Sequence, residues 1–264
     1  MTEPPATPST FGVLLRQWRG RRRLSQLDLA LEAGVSARHV SFVETGRARP
    51  SRAMVLRLAE QLDVPLRERN PLLLAAGHAP AYSMRTLDDE SMAPVRAALD
   101  LILEGYQPFP ALAVDGGWNL VAANATLSLL VGGVADELLV PPVNVLRLSL
   151  HPGGLAGRIV NLAQWRGHLL DRLAREAALT GAADLAALHR ELLDYPGGIE
   201  HRHSPGLAVP LRLRAGGREL AFLSTVTTFG TAVDITLAEL SIEAFLPADR
   251  ATAEAVRALA PAST

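Results

Sequence analysis

The sequence predicts two folds in series: an all-α domain, then an α+β domain with an antiparallel sheet. Three observations predict this. Residues 11–77 read as five short stretches whose apolar positions recur every three to four residues. Residues 207–245 form extended runs enriched in Thr, Val and Phe, broken at Ala215-Gly216-Gly217. Between the two periodicities lies a segment that opens with Ala79-Pro80-Ala81. The expected organisation is a disordered tail over 1–10, a first domain over 11–78, a linker over 79–91 and a second domain over 92–260.

Composition narrows the class. Of 264 residues 48% are hydrophobic, ample for buried cores, and 20% are charged, too few for general disorder. There is no cysteine, so no disulfide framework and no thiolate metal site can form. Met1 to Thr10 lacks the basic start and apolar run of a signal peptide, and no apolar stretch approaches the ~20 residues that cross a bilayer. A soluble cytoplasmic protein with no membrane association is expected. The net charge of -1 hides an asymmetry: residues 1–80 hold 12 Arg against 7 acids, and the remainder holds 14 Arg against 20 acids. A basic front on an acidic body suits contact of one end with a polyanion, although solvated Arg-rich helix faces would look the same.

In the first domain, helices are expected over Phe11–Arg23, then roughly 26–33, 37–45, 52–62 and 66–76. Leu14, Leu15 and Trp18 share one face of the first. Ser51 suits an N-cap, Pro65 an early-helix position, and Gly77 a helix stop. In the second domain, Ser91–Gly105 reads as a helix. Ala111–Asp115 and Trp118–Ala122 read as strands around Gly116-Gly117. Asn124 suits the cap of a helix through Leu130, and residues 155–179 and 183–194 read as amphipathic helices. Strands are expected over Leu207–Leu213, Arg218–Phe229 and Val233–Phe245.

Residues 25–46 carry the most specific pattern. Two helices that cross steeply need a small residue where their backbones meet, and Ala30 stands there. The turn needs a positive φ, and Gly34 supplies it. Leu29, Ala33, Val35, Val40 and Val43 seal the contact, and Ser36 caps the second helix. With Val40 and Val43 buried, the remaining face carries Ala37, Arg38, His39, Ser41 and Phe42, the face that enters a DNA major groove in such motifs. Gln26 is placed to reach a phosphate and brace the reading helix. Gly46 allows close approach of the backbone, and Arg47 and Arg49 are placed for phosphates. Arg38 suits either a guanine edge or one more phosphate. The competing reading is a five-helix bundle without a nucleic-acid role.

These residues reach a known family. LSQLDLALEAGVSARHVSFVETGRARPS resembles the Cro/C1-type helix-turn-helix, also called the xenobiotic-response-element family. The resemblance covers about residues 12–67 and implies a lambda-repressor-like fold that binds a double-stranded DNA operator. Ala37, Arg38 and Phe42 fall at the family's base-reading positions; Ala37 and Phe42 depart from its common polar readers. Four later segments (110–124, 144–161, 192–197 and 221–249) resemble the MmyB-like ligand-binding domain. That resemblance implies a PAS-like fold in a transcription regulator that is not an enzyme and senses a small apolar ligand, with fatty acids the favoured class. A homodimer is expected, since two modules engage two half-sites. The alternative is a second domain that serves only dimerisation or protein docking.

An apolar pocket is expected between sheet and helices, with Leu146, Leu162, Trp165, Leu169 and Phe222 as candidate walls. Trp118, Leu150 and Phe229 are further candidates, and ordinary core packing explains any of them equally. Arg147, inside the apolar run Val145–Leu150, suits either a ligand carboxylate or an internal acid. His201 and His203 are a candidate metal pair or a solvated loop, with no third ligand at motif spacing. No catalytic constellation, metal site or cofactor motif is expected.

Overall fold

The computed structural model describes residues 11–200 and 208–259, so the expected 1–10 tail and the His201/His203 pair lie outside the described residues. The chain divides into two compact units, Met1–Arg85 with Ala232–Ile235, and Thr86–Thr231 with Thr236–Thr264.

The first unit holds α1 (Phe11–Arg21), α2 (Gln26–Glu32), α3 (Ala37–Glu44), α4 (Arg52–Gln61) and α5 (Leu66–Ala75). Each lies within two residues of its expected span. Serine side chains start three of them. Ser25 forms a reciprocal capping box with Asp28, Ser36 accepts from the His39 N–H, and Ser51 accepts from the Met54 N–H. Pro65 takes the N-cap position itself, one residue earlier than expected. Leu15, Leu29, Ala30, Val40, Leu58 and Leu73 form the centre of one core. Within the stretch expected to be a linker, the backbone N–H groups of Ala81 and Tyr82 donate to Asn70 Oδ1, and Asn70 Nδ2 donates to the Tyr82 carbonyl.

The second unit opens with α6 (Ala93–Gly105), then β1 (Ala111–Val114), β2 (Leu120–Ala123), α7 (Ser128–Val131) and α8 (Val145–Leu150). After these come α9 (Leu162–Thr180), α10 (Ala183–Leu193), β3 (Leu211–Ala215) and β4 (Arg218–Thr228). The chain finishes with α11 (Ile235–Glu239), β5 (Ser241–Pro247) and α12 (Arg250–Leu259). The sheet is antiparallel in the order β2-β1-β5-β4-β3, so the last strand fills the centre. Both faces of β5 are buried. Ile242 and Ala244 pack with Leu99 and Leu103 of α6, and Phe245 joins the larger core beneath the other helices.

Three local expectations need correction. Asn124 makes no side-chain cap; it is buried, accepts from the Ala111 N–H and donates to the Leu103 and Phe109 carbonyls, stitching the start of β1. The helix expected from 155 begins at Leu162, because residues 159–160 pair with β3: the Val160 N–H donates to the Arg212 carbonyl and Ile159 bridges Leu213. Val233–Phe245 is not one strand. Its helix formers Leu237, Ala238 and Glu239 lie in α11, closed by a Leu240 N–H to Leu237 carbonyl bond, and pairing starts at Ser241. The terminal helix α12 was unforeseen, although Asp249 caps it through the Thr252 N–H, and Thr252, Ala255 and Val256 give it a buried stripe.

One backbone contact dictates a glycine. A Cβ on Gly12 would stand 2.3 Å from the Glu44 carbonyl oxygen, so α1 lies directly against the end of α3. Gly20, in the same helix, has open space around its Cβ position. Gly12→Ala should therefore destabilise the first unit by about 1–3 kcal/mol through overpacking. Gly20→Ala should stabilise it by about 0.4–1 kcal/mol. Denaturant melts of the two full-length variants check both signs; equal stabilisation by both would refute the close contact.

Candidate functional site

Two places in the chain gather functional chemistry, one in each unit. In the first, α2 and α3 meet through buried Ala30 and Val40. Gly34 has φ +64°, and the Val35 N–H returns to the Ala30 carbonyl across the turn. The face of α3 left over carries exposed Arg38, with half-buried His39, Ser41 and Phe42. Ala37 is half-buried too and packs partly on the core, which limits its reach. Two guanidinium groups approach the Phe42 ring: Arg38 Cζ is 5.2 Å and Arg47 Cζ 6.0 Å from its centroid. Gly46, at φ +73°, lets the chain fold back so that the Arg47 and Ala48 N–H groups both donate to the Phe42 carbonyl. Among the described residues Arg38, Arg47 and Arg49 are exposed and make no ion pair.

Other arginines of this unit serve the fold. Glu44, whose side chain is fully buried at the end of α3, accepts two hydrogen bonds from Arg19 at 2.7 and 3.1 Å and one from Arg16 at 3.5 Å. Gln26 Nε2 donates to the same carboxylate at 2.8 Å. The amide expected to reach a phosphate is thus engaged with Glu44; it braces α3 from within. Burial pushes the Glu44 carboxyl up, but the bonds from Arg19, Gln26 and Arg16 outweigh it and hold the group below its ordinary 4.5. Arg22 closes the C-terminal end of α4, donating to the Leu62 and Asp63 carbonyls.

In the second unit a cavity lies between the sheet and the helices. Its walls include Leu112 and Phe245 from the strands, Leu146 and Leu148 from α8, and Trp165 and Leu169 from α9. Trp118 adds another wall, held at φ +65° with its indole Nε1 donating to Glu176 at 2.9 Å. The free space is small, about 50 Å³. Of the candidate walls, Leu146, Trp165, Leu169 and Trp118 line this space. Leu162, Phe222, Leu150 and Phe229 do not line the space. Phe222 is wholly enclosed in the core, and Leu162 packs against that core from its edge, with Gly197 beside it.

Arg147 does not line the cavity either. It forms a two-pronged pair with Glu191 of α10 at 2.7 Å on both arms, and the Tyr195 hydroxyl donates to the same carboxylate. Burial, and then that bond to Glu191, pushes the Tyr195 hydroxyl up to about 12. Among the wall residues missed from sequence is an ionisable one, Glu243, a buried carboxylate on β5 that accepts from Ser224 and from Arg172 at 3.4 Å. Its signal was an acid at an inward strand position inside Ile242-Glu243-Ala244-Phe245. Among the described residues no three His, Cys, Asp or Glu side chains gather as a metal site, and no helix is long and apolar enough to cross a membrane.

Comparison with known proteins agrees with this two-part geometry. Residues 95–259, more than half of the chain, match the MmyB-like transcription regulator ligand binding domain. Residues 10–72 match a helix-turn-helix domain. A Bacillus subtilis (strain 168) protein described as the uncharacterized HTH-type transcriptional regulator RghRB is 39% identical over 75 residues, 28% of this chain and 52% of that protein. The chain thus spans about half the length of that relative.

The Glu44 hub generates a test of the first site. Glu44→Ala should cost about 2–3 kcal/mol, somewhat less than the 3–5 of a fully buried pair because the Arg19 side chain keeps 17% exposure. Because the folded pKa is lowered, this contribution is present above the ordinary 4.5 and is lost as pH falls through the folded value. Stability measured from pH 7 down to pH 3 should show the parent losing more than the variant. Parallel pH profiles would remove Glu44 from the account.

Proposed function

The chain belongs to the MmyB-like transcription regulators, and from that premise we propose that it reads double-stranded operator DNA through α3 and responds to a small apolar ligand held in its second unit. The observation that carries the DNA reading is the pair of exposed arginines, Arg38 on the second helix of a helix-turn-helix and Arg47 just after it, both over the half-buried Phe42 ring. Phe42 offers an apolar edge to a thymine methyl, and its ring steadies two arginines at the groove. Arg38, at the start of α3, reaches a guanine edge. Arg47 and Arg49 contact phosphates, and Ser36, Ala37, His39 and Ser41 complete the surface. Gln26 acts indirectly, through Glu44. A homodimer in the cytoplasm is the form proposed to bind, since a single module of this size has too little contact to hold one site tightly.

The ligand reading is supported by a cavity whose walls are almost entirely Leu, Val, Trp and Phe. Such walls take an apolar chain of the kind a fatty acid carries. The space of about 50 Å³ is small, so a longer chain requires the walls to part. That smallness also favours a second reading, in which the domain serves dimerisation or docking alone. A ligand regulates only by binding the DNA-competent and DNA-incompetent arrangements unequally.

Two measurements separate these roles. Arg47→Ala should weaken binding to all DNA sequences alike and reduce the salt slope by about one unit, whereas Arg38→Ala should cost about 1–3 kcal/mol on the preferred site and relax one base pair. Equal affinity of the parent for random and selected DNA at every salt concentration would end the operator reading. Leu169→Trp, which fills the cavity at an overpacking cost of about 1–3 kcal/mol, should abolish ligand-dependent melting shifts and leave DNA affinity unchanged. Shifts that persist in this variant would place the ligand elsewhere.

A further inference from the structure

Among the described residues the cavity walls hold a single ionisable side chain, Glu243. Resting on the reading of that cavity as a ligand site, we propose that its ligand presents a hydrogen-bond-donating head, a hydroxyl or a protonated amine on an apolar chain, to Glu243, and that an ionised carboxylate head is disfavoured there.

The argument begins with the strand. Glu243 pairs with Leu112 of β1 and Val226 of β4 in the centre of the sheet, and its side chain shares the inward face with Phe245. It is 5% exposed. A carboxylate so enclosed is stabilised by each hydrogen bond its oxygens accept. Ser224 and Arg172 both bond one oxygen, Oε1. Among the described residues Oε2 accepts no hydrogen bond, which leaves acceptor capacity for a donor from a ligand.

Among the described residues the rest of the lining offers a carboxylate anion no cation. Arg172 is not a wall of the cavity; it sits over the Trp118 ring at 4.3 Å and serves Glu243. Arg147 is held by Glu191 outside the cavity. His168 is not a wall of the cavity either, and burial, then the charge of Arg172, lowers the pKa of its imidazole. Both indole N–H groups on the walls are engaged, Trp118 with Glu176 and Trp165 with Ser149 at 3.1 Å. A carboxylate head would find the Ser149 hydroxyl as its one side-chain donor on the walls, beside a like charge in a water-poor space.

The test uses the full-length protein at pH 7.5 and three probes of equal chain length, 1-decanol, decylamine and decanoate, each below its micellar concentration and followed by calorimetric titration. Decanol or decylamine should bind roughly tenfold or more tightly than decanoate. Glu243→Gln should bring that ratio to within about threefold, because the amide both donates and accepts. Ser149→Ala, which leaves the carboxylate in place, should preserve the preference; its loss there would assign the head group to Ser149 and overturn the proposal. Decanoate binding as tightly as the other two to the parent would overturn it as well, with the ligand site itself standing. Binding of none of the three would instead remove the ligand-site reading on which the proposal rests.

Discussion

A carboxylate in the wrong medium organises the DNA-reading unit. Glu44 ends α3 with its side chain out of water, a position tolerable only because Arg19, Arg16 and Gln26 converge on it. Those partners come from α1 and α2, so one charge fixes three helices. The bare backbone of Gly12 against the Glu44 carbonyl makes the same junction sterically specific. Charge and contact together set the angle at which α3 leaves the bundle. Exposed Arg38 and Arg47 and half-buried Phe42 inherit that angle, and the base reading proposed for α3 would depend on it, because such recognition needs a short helix placed within a fraction of its diameter.

The second unit repeats this logic with a different element. β5 is the last of the described strands in sequence and the middle one in space, and it supplies residues to both cores of this unit. One of its faces supports α6, and the other floors the cavity. Asn124 and the Ile159–Val160 segment tie irregular backbone to the sheet. Buried backbone polar groups that would otherwise be orphaned are satisfied in this way. The one acid in the floor, Glu243, is satisfied on one oxygen by Ser224 and Arg172, and it gives an otherwise greasy space a chemical direction.

Charge in the sequence was a coarse guide to charge in the structure. The twelve arginines of residues 1–80 looked like one basic surface. In the structure Arg19 and Arg22 are spent on Glu44 and on the end of α4, and Arg69 donates to the Val64 carbonyl. Arg38, Arg47 and Arg49 remain exposed. In the same way Arg147, an isolated cation in an apolar run, found an acid 44 residues away. Sequence spacing reports which residues share a helix face. It does not report which distant acid will meet a given arginine, because that depends on the docking of whole elements.

What the sequence by itself determined was everything that rests on near neighbours. The helix-turn-helix was legible because Ala30, Gly34, Val40 and the capping serines act within a few residues of one another. The five strands were legible in number because alternation and β-branched content are local. Their limits failed where a distant partner claimed the backbone, as β3 claims Val160, or where a short helix such as α11 interrupts a β-rich run. Only the tertiary structure decided that Gln26 faces inward, that Phe222 and Leu162 belong to the core, and that Glu243 is a wall of the cavity. These are contacts across tens of residues, set by how sheet and helices pack, and side-chain chemistry read one residue at a time carries no record of them.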